Sequence, residues 1–185
     1  VEALGRTGHK VTFFVIGRNL ANKELRKIAV RAVQAGHEIA NHSYSHSAFS
    51  SLSAKQAESE IRSTHELIQD VIEEAGGDAY IQDRFFRFPY GAPPRKGNED
   101  ACNLILAELN YNIVWWDVDT RDWQMELWWN PRTFWSVIAS LKGASAQDVV
   151  LMHDRESTAR HVNEILACVK SRGLTSVPMS RYRLT

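Results

Sequence analysis

Only two cysteines occur in 185 residues, Cys102 and Cys168. They stand far apart, both inside helix-like patterns, and neither belongs to a C-x-x-C motif. They read as buried packing residues rather than a bridge, a ligand pair or a nucleophile, and so say nothing about redox compartment. Charge of one sign is also missing: Lys plus Arg equals Asp plus Glu at 22 each. No net positive field draws the chain to nucleic acid or an anionic membrane, which favours neutral or weakly charged partners. No apolar run approaches about 18 residues, and no basic segment leads into an apolar one. A membrane span and an uncleaved export signal are therefore not expected, although an earlier cleavage would leave no trace. With no internal repeat, linker or low-complexity segment, one domain over residues 1–185 is the economical reading.

What is present is ordinary for a soluble globular protein, 44% hydrophobic and 24% charged residues, in a chain long enough to bury a sizeable core. Short apolar runs alternate with longer amphipathic stretches. "KVTFFVIG" (Lys10 to Gly17) predicts a buried strand, and a helix pattern follows from about Asn22 to Ala35, stopped by Gly36. "HEIAN" predicts a second strand. Ser53, with Gln56 three residues on, predicts a capping box opening a long helix that runs to Gly76 and Gly77. Further strands are expected at Phe85–Phe88, Asn112–Trp116 and Asp148–His153, and a short one at Leu174–Val177. Helices are expected near Asn98–Leu109, Pro131–Leu141 and Ser157–Arg172. This alternation implies an α/β fold of parallel strands joined by crossover helices, as an open doubly wound sheet or a barrel.

The unusual polar residues all follow strands. His42 and His46 lie in "EIANHSYSHSAFSSL" after the second strand; Arg87 to Tyr90 end the third, Asp117 to Trp123 follow the fourth, and His153 and Asp154 end the fifth. Carboxyl ends of parallel strands share one face, so these positions are expected to converge there. Each also has a plain reading. His42 and His46, four apart, are either surface residues or strand-end hydrogen-bonders, or else neutral imidazole ligands of a divalent ion such as zinc. The H-E-x-x-H pattern is excluded because Ser43 follows His42. His153 is either a satisfied core-edge histidine or a general acid. Asp122 either caps a turn or orients that imidazole and favours its protonated form. Arg87 is either a structural ion-pair partner or the rigid fork that orients a catalytic carboxylate. Six tryptophans fall between positions 115 and 135, some of them core, others flat apolar faces for sugar rings or other apolar surfaces.

In order and at comparable spacing, "NHSYSH", "RFPYG", "DTRDW" and "LMH" resemble motifs two to five of the NodB-type polysaccharide deacetylases, carbohydrate esterase family 4. The lead-in "GHKVTFFVIG" is similar to that family's second strand, and the resemblance runs from about residue 1 to 178. It implies a distorted (β/α)7 barrel that removes N-acetyl groups from glycans such as chitin or peptidoglycan N-acetylglucosamine, usually with zinc, sometimes cobalt or nickel. By the same resemblance His42 and His46 are metal ligands and Arg87 positions the catalytic aspartate. The Tyr90 backbone N–H becomes the oxyanion donor, and Asp122 the partner of the acid His153. Trp123, Leu151 and Pro89 resemble the substrate-binding wall around the acetyl group. Family substrates lie outside the cytoplasm, so an extracellular, periplasmic or cell-wall location is implied.

One departure is informative. The family's first motif, T-F-D-D-G, carries the base aspartate and the third metal ligand, and no Asp-Asp pair occurs in this sequence. The resemblance therefore implies that these residues belong to a longer polypeptide whose first strand completes the barrel from outside the stretch at hand. A non-catalytic glycan-binding module and an acetylxylan esterase are the alternative readings.

Overall fold

The structure, a computed structural model, describes residues 1–77, 84–126 and 134–182. In chain order its elements are α1 (Glu2–Thr7), β1 (Thr12–Val15), α2 (Gly17–Leu20), α3 (Lys23–Gln34), β2 (Glu38–Asn41), α4 (Ala54–Glu74) and β3 (Arg84–Phe86). There follow α5 (Glu99–Glu108), β4 (Tyr111–Ile113), β5 (Val118–Asp119), α6 (Phe134–Gly143), β6 (Val150–Leu151), α7 (Glu156–Arg160) and α8 (Val162–Ser171). The chain divides into two compact units, described separately: residues 11–114 with 178–182, and residues 1–10 with 115–177.

The larger unit is built on a parallel sheet in the order β1-β2-β3-β4. Thr12 faces Glu38 and Val15 faces Asn41 in the first ladder, while Arg84 faces Tyr111 and Phe86 faces Ile113 in the last. Among the described residues β1 pairs only with β2 and so forms one edge. Helices α3 and α4 begin and end close to where their sequence predicts, whereas α2 was not anticipated. Asn22 caps α3 by accepting from Glu24 N at 3.0 Å and Leu25 N at 3.2 Å. Gly36, at φ 79°, takes the left-handed turn that lets His37 N reach back to Ala32 O at 3.0 Å, a conformation costly for any residue with a Cβ. At the start of α4 the capping box of Ser53 and Gln56 is formed from both sides.

Helix α4 is the spine of this unit because its apolar and small residues recur at helical spacing. Ala57 and Ile61 pack with Phe49, Phe86, Phe88, Cys102 and Leu106; Ile68, Val71 and Ile72 pack with Leu20, Ala29 and Ile39. Between these two clusters the buried face carries Thr64 and His65 instead. His65 Nδ1 lies 3.1 Å from the Tyr111 hydroxyl, which accepts from Asn41 Nδ2 at 3.3 Å. Burial, with Arg84 and Arg62 nearby, keeps His65 neutral. Thr64 leaves little room for the start of α2. A Cβ built on Gly17 would overlap the Thr64 hydroxyl and stand 3.1 Å from its Cβ and 2.9 Å from Tyr44 Cδ2. That closeness lets Gly17 N donate to Ser43 O at 2.9 Å and Arg18 N to Tyr44 O at 3.0 Å.

The smaller unit holds the two-stranded parallel sheet β5-β6, with Val118 opposite Val150 and Asp119 opposite Leu151. Val137, Ile138 and Leu141 of α6 and Ile165 of α8 form its core, with the half-buried Cys168 packed beside them. Several expected boundaries differ. The strand read at Asn112–Trp116 is β4 at Tyr111–Ile113, extended only by Val114 N donating to Phe86 O at 2.9 Å. The helix read at Ser157–Arg172 is two helices, broken at His161 (φ −106°, ψ 13°), whose ring stacks on Phe134 with centroids 4.4 Å apart. Leu174–Val177 is not a strand; Ser176 makes one backbone bond, accepting from Lys10 N at 3.0 Å, and donates its own N–H to His9 Nδ1. β5 was not anticipated, being two residues long and half polar. Trp128, Trp129 and residues 131–133 lie outside the described residues.

Two predictions follow from the larger unit. Burial, reinforced by Arg84 and Arg62, pushes the His65 pKa down to about 4. The unfolded chain, with an ordinary histidine pKa near 6.5, therefore binds the proton first as pH falls. Stability from this group is full above about pH 6.5 and lost progressively towards pH 4, on the order of 3 kcal/mol. Urea unfolding across that range should show the loss, and His65→Gln should flatten it. Gly17→Ala should lower the urea midpoint by an amount equivalent to about 1–3 kcal/mol; an unchanged midpoint would mean that Thr64 and Tyr44 give way freely.

Candidate active-site residues

In the larger unit, the chain leaving β2 enters a tight turn that carries both histidines. Asn41, the last strand residue, is fully buried. Its Oδ1 accepts from Ser43 N at 2.9 Å, and Ser43 Oγ in turn accepts from His46 N at 3.2 Å. Ser43 (φ 66°) and His46 (φ 64°) both occupy the left-handed region, which is unusual for residues with side chains. From α4, the Glu60 carboxylate accepts from Ser45 N and Ser45 Oγ, each at 2.7 Å. The turn is thus tied at both ends of its span.

These ties bring the two imidazoles together, with ring centroids 4.9 Å apart at 67°. His42 Nδ1 lies 2.8 Å from Arg87 O. A carbonyl only accepts, so Nδ1 carries the proton and Nε2 of the neutral ring carries the lone pair. That is the tautomer of a metal-ligating histidine held by a backbone carbonyl. Two imidazoles sharing one tetrahedral ion at about 2 Å stand with ring centres about 5 Å apart, so this pair fits two positions of such a site. Among the described residues, no group of three or more His, Cys, Asp and Glu side chains is assembled around them.

Arg87 and Tyr90 come from the segment after β3. Arg87 N donates to Asn41 O at 3.1 Å, which registers this segment against the histidine turn. The guanidinium is buried, lies over the Phe14 ring at 4.0 Å and donates from Nε to Val114 O at 3.2 Å. Burial lowers its pKa to about 10, so it remains cationic at neutral pH. Pro89 is fully buried and opens the 3-10 turn Pro89–Gly91, in which Tyr90 takes a left-handed conformation (φ 60°, ψ 9°). The Tyr90 ring is 70% exposed and stands edge-on to His46 at 4.6 Å. Pro89 therefore shapes the turn that aims the neighbouring Tyr90 backbone.

In the smaller unit, Asp122 and His153 form the second cluster. Asp122 is fully buried, and its Oδ1 accepts from His153 Nδ1 at 2.8 Å. Its Oδ2 accepts from His153 N at 2.8 Å and from the Thr158 hydroxyl at 2.5 Å. Thr120 Oγ1 lies 3.3 Å from Oδ1 and donates to Leu151 O at 2.9 Å. Burial opposes ionisation of Asp122, but the bonds from His153 and Thr158 outweigh it and hold the carboxyl below its usual range. Since the carboxylate can only accept, His153 Nδ1 carries a proton and Nε2 is the atom that exchanges one. The imidazole is about one third exposed, and the adjacent Trp123 is 36% exposed. Thr120 and Thr158 escaped the sequence reading. Thr158 stood within an expected uninterrupted helix, and nothing local signals a bond to a carboxylate 36 residues away.

A family model described as polysaccharide deacetylase matches residues 1–114. The chain is 28% identical to the peptidoglycan-N-acetylglucosamine deacetylase PgdA of Listeria monocytogenes, over 94% of this chain and 33% of PgdA. It spans less than half the length of the curated peptidoglycan deacetylases it matches. Its structure is similar to a family 4 carbohydrate esterase from Streptomyces lividans solved with acetate, at 29% identity and TM-score 0.74, covering 95% of this chain and 81% of the other. A CE4 family pseudoenzyme from Bacillus anthracis shares the fold at 24% identity and TM-score 0.77, covering 98% and 58%. These likenesses carry the same α/β fold of parallel strands that the described elements form. The chain belongs to the polysaccharide deacetylase family.

Proposed function

We propose that this chain is a divalent-metal-dependent hydrolase that removes N-acetyl groups from a polysaccharide such as chitin or the N-acetylglucosamine strands of peptidoglycan. The observation that carries the reading is the His42–His46 pair, 4.9 Å apart with the His42 tautomer set by Arg87 O. His42 and His46 would hold the ion, zinc in the first place and cobalt or nickel as alternatives, with a third ligand from outside the described set. When bound, the ion supplies a Lewis acid that polarises the amide carbonyl.

The chain's own residues then divide the remaining work. Water oxygen bonds to the acetyl carbon and loses a proton to the catalytic carboxylate, while His153 gives a proton from Nε2 to the departing amine as the C–N bond breaks. Asp122, ionised and buried, fixes the His153 ring through Nδ1. The Tyr90 N–H serves as oxyanion donor. Arg87 serves to orient the catalytic carboxylate. Trp123 and Leu151 serve as apolar walls for the acetyl group, and Pro89 serves in substrate binding through the turn that it opens. The substrate is a neutral or weakly charged glycan of the cell wall or of extracellular material, which places the action outside the cytoplasm. Among the described residues no helix is long and apolar enough to cross a membrane.

The second reading is a glycan-binding module without turnover.

Acetate release from chitin oligomers and from peptidoglycan fragments, measured with added zinc, tests the proposal. Release should fall at least about 100-fold in His42→Ala and in EDTA, and by about 100- to 10,000-fold in His153→Ala. Acetylated xylan in the same assay reads the esterase alternative, since only the leaving group differs. Bound zinc without acetate release would establish the second reading, and a chain that neither binds zinc nor releases acetate would end both hydrolytic assignments.

A further inference from the structure

The turn from Asn41 to His46 is held in a conformation its sequence does not favour. Ser43 and His46 both sit at positive φ without being glycine, a state that persists only where surrounding bonds over-determine it. The surroundings begin at the Asn41 side chain, whose full hydrogen-bonding capacity is close to exhausted. Oδ1 accepts from Ser43 N at 2.9 Å. One Nδ2 proton goes to Ile61 O at 3.0 Å and the other to the Tyr111 hydroxyl at 3.3 Å. The amide orientation follows from its partners, because Ser43 N can only donate and Ile61 O can only accept. The side chain thus bridges helix α4, strand β4 and the turn, in a site with 0% exposure.

No other side chain of this size serves all three partners. An ionised aspartate has no protons for Ile61 O and Tyr111, and leucine has neither donor nor acceptor. The backbone of Asn41 contributes as well, since its carbonyl accepts from Arg87 N, and the Arg87 carbonyl holds His42 Nδ1. One residue is therefore tied to both histidines: to His42 through Arg87, and to His46 through Ser43, whose hydroxyl accepts from His46 N.

We propose that Asn41 is a positioning residue for the metal-binding pair: anchored on α4 and β4, its side chain holds the Ser43 N–H and so keeps His42 and His46 at ligating separation. Tyr111 and His65 extend the anchor, the tyrosine hydroxyl accepting from Asn41 and lying 3.1 Å from His65 Nδ1. The inference rests on the metal role proposed for the two histidines, but its core, the locked turn, is measurable in the metal-free chain.

The test uses the 185-residue chain and three variants, Asn41→Ala, Tyr111→Phe and His42→Ala. Zinc and cobalt(II) affinities are read by calorimetry and by the visible cobalt spectrum, and amide hydrogen exchange is read at Ser43 and His46 without metal. Asn41→Ala should weaken metal binding 10- to 100-fold and speed exchange at both amides at least tenfold, while exchange within α3 stays unchanged. Tyr111→Phe should shift both readouts in the same direction by a smaller factor. A folded Asn41→Ala with wild-type affinity and wild-type exchange would overturn the proposal. Should Asn41→Ala fail to fold, Tyr111→Phe decides, and wild-type values there overturn it equally. If the wild-type chain binds neither ion, the metal reading fails by itself, and the positioning role stands or falls on whether Asn41→Ala releases the Ser43 and His46 amides.

Discussion

A buried amide at the end of β2 has to satisfy three polar partners at once, and most of the larger unit is arranged around that requirement. Asn41 sits where a parallel strand stops and its ladder gives out, the point at which backbone groups lose their regular partners. Helix α4 offers the Ile61 carbonyl, β4 offers the Tyr111 hydroxyl, and the following turn offers the Ser43 N–H. An unsatisfied amide at this depth would cost about 1–3 kcal/mol per missing bond. The packing of α4 against β2 and β4 and the shape of the histidine turn are consequently one constraint. The apolar clusters on either side of Thr64 and His65 are what keep water away from it.

The two histidine clusters show how one side chain is prepared for two kinds of chemistry. His42 donates Nδ1–H to a backbone carbonyl, which fixes its tautomer and leaves Nε2 as the lone-pair nitrogen. His153 donates Nδ1–H to a buried carboxylate, which fixes the orientation of its ring. Thr158 and the His153 backbone N–H complete the carboxylate's coordination, so that Asp122 stays ionised despite its burial. The two rings differ in the group behind them, a carbonyl for His42 and a carboxylate for His153.

Much of the scaffold could be read in the chain. The capping box at Ser53 and Gln56 and the Gly36 turn are local devices whose partners lie within five residues, and each is formed as its spacing predicts. The strands at residues 12–15 and 84–86 follow from β-branched and aromatic runs too short to be helices, and the one at 38–41 is a short segment closed off by Gly36 on its N-terminal side. Where the reading missed, a distant partner overrode local pattern. The helix expected at 157–172 breaks because Thr158 turns in to Asp122 and His161 stacks on Phe134. The strand expected at 174–177 gives way to bonds from Ser176 to Lys10 and His9.

By itself the sequence determined the α/β alternation, the helix caps and which residue types stand after which strands, because each depends on neighbours along the chain. Tertiary structure alone decided that His42 and His46 face one another, which nitrogen of each ring in the His42 and His153 bonds carries the proton, and that Asn41, Thr120 and Thr158 support them. Those outcomes depend on hydrogen-bond partners as far as 70 residues away, brought within 3.5 Å only when helices and strands pack. A donor's direction and a ring's tautomer are properties of that contact, and no spacing in a chain encodes them.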